Sequence, residues 1–127
     1  MNGVLDASAF VDLLIGRLDE TEEALFDGDF AAPDLFLVEV AGGLRRSERL
    51  GAVSGDQAQS LLAAMLDLPI DLHDSRGLVE RAFEMRHAVT VADACYVALA
   101  EQLDCGLLTS DRRLARAVGD RVPVTVV

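Results

Sequence analysis

Four acidic residues of this 127-residue chain are candidates for chemistry: Asp6, Glu39, Asp93 and Asp111. Carboxylates held close together repel one another, and a hard divalent cation relieves that repulsion. A cluster of acids without His or Cys suits magnesium or manganese. If the four converge, they support a site for such a cation, with Ser8 and Thr109 placed to position ligands or waters.

Taken singly, each acid has a second reading. Asp6 and Asp111 each follow a strand-like stretch and precede a helix, where Asp is a favoured N-cap. Asp93 is the only side chain between His87 and Glu101 that is charged at neutral pH, and it has no cation beside it on its helix. A buried carboxylate there needs backbone donors, a cation from elsewhere or a metal. Thr90 three residues earlier also permits a capping box. Glu39, in LFLVEVAGGL, is expected on the side of its helix opposite Leu37, Val40 and Leu44, which leaves a solvated acid open as well. Gly42 and Gly43, each costing a helix about 1 kcal/mol relative to Ala, mark a place where something comes close.

The elements that would carry these acids follow from periodicity. Val4 to Asp6 reads as a strand, Ser8 to Gly16 and Glu20 to Phe26 as helices, and Phe30 to Ala32 as a short edge strand. Pro33 suits a helix start, with Leu37, Val40, Ala41 and Leu44 at helical spacing after it. Helices over Ser54 to Leu66, Gly77 to Met85, Val91 to Leu103 and Arg112 to Val118 alternate with strands over Ile70 to Leu72, Leu107 to Thr109 and Val122 to Val126. This alternation predicts a single α/β domain over residues 1–127. It should be a three-layer α/β/α arrangement around a central, mainly parallel sheet of four to five strands, with its site at the carboxyl ends of the strands.

Composition narrows the function classes. Hydrophobic residues make up 51% of the chain, which argues for a packed core and against disorder. The start, MNGVLDASAF, has no basic segment and places Asp6 where a secretory signal needs apolar residues, so a cytoplasmic protein is expected. Cys95 and Cys105 read as reduced core residues, and His73 and His87 lack partners at zinc-ligand spacing. The net charge of −11 opposes a nucleic-acid partner unless cations and local basic patches intervene. All eleven basic residues are arginine, and the absence of lysine excludes receiver and haloacid-phosphatase-like chemistry.

DASAFV at Asp6, PDLFLVEVAGGLRR around Glu39, DACYVALAE from Asp93 and LLTSDRRLARA around Asp111 occur in order along essentially the whole chain. In these segments the sequence resembles PIN-domain ribonucleases, specifically VapC-type toxins of toxin-antitoxin systems. The resemblance implies a metal-dependent endoribonuclease in which Asp6, Glu39, Asp93 and Asp111 form the acidic site for Mg2+, or Mn2+, with Thr109 beside them and Ser8 as a further contributor. It implies hydrolysis that leaves a 5′-phosphate and a 3′-hydroxyl. It also implies a VapB-like antitoxin partner and a homodimer. The longest uninterrupted apolar run, Ala94 to Ala100, falls far below the roughly 20 residues a membrane helix requires, so no membrane is expected. The Gly42 and Gly43 pair departs from the bulkier residues usual after that glutamate. Arg45 and Arg46 with Arg49, and Arg112 with Arg116, are candidates for RNA phosphate contacts, against the alternative that they pair with this chain's many acids. A non-catalytic PIN-like module that binds protein or RNA is the main competing function. A small-molecule phosphohydrolase using the same carboxylates is another.

Overall fold

A computed structural model describes residues 2–127. Five short strands, β1 (Gly3–Leu5), β2 (Phe30–Pro33), β3 (Asp71–His73), β4 (Leu107–Thr109) and β5 (Val124–Val126), form one sheet in the order β3-β2-β1-β4-β5. Every pairing is parallel. Parallel neighbours require helical crossovers. These are supplied by α1 (Ala7–Leu14), α2 (Glu20–Glu23), α3 (Phe36–Arg49), α4 (Gly55–Leu66), α5 (Val79–Glu84), α6 (Val91–Leu103) and α7 (Arg112–Val118). The result is the expected three-layer α/β/α fold.

The core explains why the sheet tolerates strands this short. β1 and β4 are buried along their whole length. Over them, and over β2, lies α6, whose residues Ala94 to Ala100 are all buried. A helix apolar on every side is an interior helix, and α5 covers its outer flank. On the acid-bearing side α1 packs against β4 and α3. Gly43 is what lets α3 approach: a Cβ there would stand 2.6 Å from Val11 Cγ2. Gly42 meets nothing within 4 Å and faces open space. The glycine pair therefore marks close packing at one residue only.

Two sequence expectations change. Phe30–Pro33 is not an edge strand, because β3 pairs along its outer side with Ala31, Ala32 and Pro33 opposite Asp71, Leu72 and His73. The edges are β3 and β5. Pro33 ends β2 instead of opening a helix, since its fixed φ is compatible with extended backbone and α3 begins only at Phe36. The cysteines are free, Cys95 buried and Cys105 half-buried, and among the described residues no helix is long and apolar enough to cross a membrane.

Candidate active site

The strand order reverses its direction of growth between β1 and β4, and in open parallel sheets the crevice at such a switch point, past the strands' carboxyl ends, is where ligands bind. Asp6 leaves β1 and Asp111 follows β4 at this point. A cleft of about 930 Å³ opens there and is lined by Asp6, Ser8, Glu39, Asp93 and Asp111. Four elements thus deliver four carboxylates to one depression.

Asp6 is the best-held of the four. It is 5% exposed and sits at the N-cap of α1, yet its carboxylate makes no capping bond. Instead Oδ2 accepts from the Ser8 hydroxyl at 2.5 Å and from the Thr109 hydroxyl at 2.6 Å. Thr109 is fully buried at the end of β4 and also accepts the Asp111 N–H at 3.0 Å. The Ser8 oxygen accepts from Ser110 N–H at 3.2 Å. Burial pushes the Asp6 carboxyl up from its ordinary range; the two hydroxyls oppose this, and the Asp93 and Asp111 charges add to it.

Glu39 does not lie opposite the buried row of α3. That row is Phe36, Val40, Leu44 and Ser47, so helical geometry places Glu39 on its flank, with Leu37 only half-buried on the other side. Its Oε1 accepts from the Tyr96 hydroxyl at 2.6 Å. Burial raises its carboxyl, the Tyr96 bond lowers it, and the Asp6 and Asp93 charges raise it again. Tyr96 is itself pushed far above the ordinary phenol range by burial and by Glu39, which keeps its proton in place as the donor. Sequence reading missed this residue; the signal for it was the chain's single tyrosine within an otherwise apolar helix.

Asp93 realises half of a capping box. Thr90 caps α6 by accepting the Asp93 N–H at 3.2 Å, without the reciprocal bond from the carboxylate to the Thr90 backbone. Burial raises its carboxyl, a hydrogen bond from Thr90 lowers it, Asp111 raises it and the Arg113 guanidinium lowers it. Asp111 does cap: its Oδ1 accepts from Arg113 N–H at 3.0 Å and Leu114 N–H at 3.1 Å.

The arginines divide unequally. Arg45, Arg46 and Arg49 line the cleft, joined by Arg17 and Arg113. Arg112 does not line it, and Arg116 borders a separate groove between α7 and β5. Residues 112 and 116 share a helix face, and it is Arg113, about 100° round the helix, that turns toward the acids. Among the described residues, Arg45, Arg46, Arg49 and Arg113 make no ion pair within 4 Å, whereas Arg17 pairs with Asp12 at 3.8 Å; the expectation that chain acids absorb the arginines holds at the cleft for Arg17 alone.

The donor set suits a hard divalent cation: all its groups are oxygens, and the carboxyls of Asp6, Glu39 and Asp93 are each raised in part by the charge of another acid of the set. Asp6 and Asp93 would hold it, with Glu39 and Asp111 completing the site. Among the described residues no three of these side chains stand close enough together to hold a metal ion as they are placed.

Residues 3–119 match the PIN domain family. The chain belongs to that family. Its curated relatives include Ribonuclease VapC9 of Mycobacterium tuberculosis, 37% identical over 127 residues that cover 98% of this chain and 97% of the relative. Ribonuclease VapC1 of the same organism is 40% identical over 120 residues, covering 91% and 90%. Among solved structures, that of VapBC2 from Rickettsia felis bound to a DNA fragment from their promoter matches this PIN domain with a TM-score of 0.72 at 16% identity, covering 100% of this chain and 99% of that one. That likeness supports the PIN fold independently of sequence.

Proposed function

We propose that this PIN-domain chain is a metal-dependent endoribonuclease, the toxin of a type II toxin-antitoxin pair, that works with Mg2+ or Mn2+ and is restrained by a small VapB-like antitoxin. The observation that carries the reading is the meeting of Asp6, Glu39, Asp93 and Asp111 in one cleft that is also lined by Arg45, Arg46, Arg49 and Arg113. Full-length similarity to VapC ribonucleases supports it. A divalent ion in such a site supplies charge stabilisation on the phosphate and a more acidic water.

The chain's own residues do the rest. Asp6, braced by Ser8 and Thr109, presents a fixed carboxylate at the switch point of the sheet. Arg113 sits where it partly balances Asp93 and, with Arg45 and Arg46, offers guanidinium forks to phosphate oxygens. Those local cations answer the repulsion that a net charge of −11 would exert on RNA. The same acids would attract a basic antitoxin segment, and a homodimer is part of the same reading.

The test uses antitoxin-free protein and a mixed RNA pool, with and without Mg2+ or Mn2+. Metal-dependent cleavage that both Asp6→Asn and Asp93→Asn abolish is the expected result. Folded wild type that binds Mn2+ but cuts no RNA would make a selective target or a binding module the better reading. Turnover of small phosphoesters in its place would point to a phosphohydrolase.

A further inference from the structure

Tyr96 is fully buried in α6, one helical turn beyond Asp93. Its neighbours along that helix, Ala94 to Ala100, are buried and otherwise carry only Cys95 as a weakly polar side chain. A phenylalanine would fill the same space without adding a hydroxyl, and a buried hydroxyl left unpartnered costs stability. This hydroxyl reaches across to α3 and donates to Glu39 Oε1 at 2.6 Å, a distance typical of a charge-assisted bond. The backbone amide of Ala7, the residue after Asp6, also lies close to it. One phenol therefore touches the elements that carry Asp6 and Glu39, and shares a helix with Asp93.

We infer that Tyr96 is a positioning residue for Glu39: its hydroxyl holds Oε1, so that Glu39 offers the cleft a single oxygen, Oε2, from a fixed side chain. A glutamate on a helix flank would otherwise sample several rotamers, and ordering it at each binding event costs conformational entropy. The inference rests on the metal-dependent ribonuclease reading and specifies how one of its acids acts.

The test compares Tyr96→Phe, Glu39→Gln and the double variant in two assays: Mn2+ binding without RNA, followed by electron paramagnetic resonance of the free ion, and RNA cleavage. Tyr96→Phe should weaken Mn2+ binding about 10-fold and lower kcat by a similar factor, as loss of outer-shell partners does, with the RNA KM unchanged. Because Tyr96 acts through Glu39, the double variant should match Glu39→Gln within about twofold. Additive losses, or a Tyr96→Phe protein equal to wild type in both assays, overturn the inference while the ribonuclease reading stands. Wild type that neither binds Mn2+ nor cuts RNA brings both down. Should Tyr96→Phe not fold, 3-fluorotyrosine at the chain's one tyrosine provides a second measurement. Its fluorine resonance should shift on Glu39→Gln and on adding Mg2+, and a resonance that ignores both overturns the inference.

Discussion

Two junctions of this fold look alike in sequence and differ in what they do. At each, a fully buried parallel strand ends and an aspartate takes the N-cap of the next helix with extended backbone: Asp6 between β1 and α1, Asp111 between β4 and α7. Asp111 behaves as capping rules expect, its Oδ1 accepting two backbone N–H groups of α7. Asp6 gives α1 no such bond. The difference comes from hydroxyls: Ser8 and Thr109 both claim Asp6 Oδ2 and turn the carboxylate away from the helix amides. A strand, an aspartate and a helix in succession therefore do not decide between a cap and a reactive group; the side chains arriving from elsewhere do.

The largest effect that would test this contrast is at Asp6. Asp6→Asn is expected to cut RNA cleavage by about 10²–10³-fold, the scale of losing one preorganised charge-stabilising group. Its fold should persist, because α1 never depended on this side chain for capping. Stability should move the other way. A carboxyl raised in the folded state contributes stability that is fully present below its ordinary value of 3.8 and is lost as pH rises through the raised one. Glu39 and Asp93 are raised too. In EDTA, wild-type Tm should thus lose this contribution between acid and neutral pH, and Asp6→Asn should soften the loss. Added Mg2+ should raise the wild-type Tm at neutral pH by binding only the folded state and leave the variant's unchanged. Equal pH dependence in the two proteins would remove Asp6 from the repelling cluster.

A second effect joins the two junctions. The Thr109 hydroxyl donates to Asp6 and accepts the Asp111 N–H, so the nearly isosteric Thr109→Val leaves the Asp111 N–H without its partner and Asp6 Oδ2 with the Ser8 hydroxyl alone. A loss of about 1–3 kcal/mol in denaturant unfolding is expected, as for an orphaned buried polar group, together with a fall in cleavage. Thr109→Ser keeps the hydroxyl and should recover most of the activity while still lacking the methyl group. If Ser is as inactive as Val, Thr109 matters for packing and the hydroxyl network does not control Asp6.

These residues also show where sequence reading reaches and where it stops. The α6 boundaries, the return of strands after helices and all four acids were legible, because each rests on local periodicity or on a polar residue in an apolar stretch. Strand order was not: β3 is three residues long with two of them exposed, and nothing local reveals that it covers Phe30–Pro33. The facing of Glu39 depended on whether Leu37 or Phe36 belongs to the core row, a choice that packing settles. Tyr96 and Glu39 are 57 positions apart and Thr109 and Asp6 are 103 apart, so no spacing rule connects them. Arg113 escaped notice because a shared helix face drew attention to Arg112 and Arg116, while the cleft lies on the adjacent face.

The smallest effect is at the junction that does cap. Asp111→Ala should cost about 1 kcal/mol of stability, and Asp111→Asn close to nothing, since Asn caps as well as Asp. Activity should not follow that split. Oδ1 serves α7, whereas Oδ2 makes no hydrogen bond among the described residues, and Asp111 lines the cleft, so both variants remove a charge from the acidic site and both should cut RNA more slowly. Urea unfolding and cleavage measured on the same two proteins separate the roles. If Asp111→Asn keeps full cleavage, Asp111 is a cap alone, and the two junctions differ even more than the hydrogen bonds imply. If it loses cleavage at unchanged stability, one carboxylate performs the structural task with one oxygen and the chemical task with the other, a division that Asp6 does not need because α1 makes no claim on it.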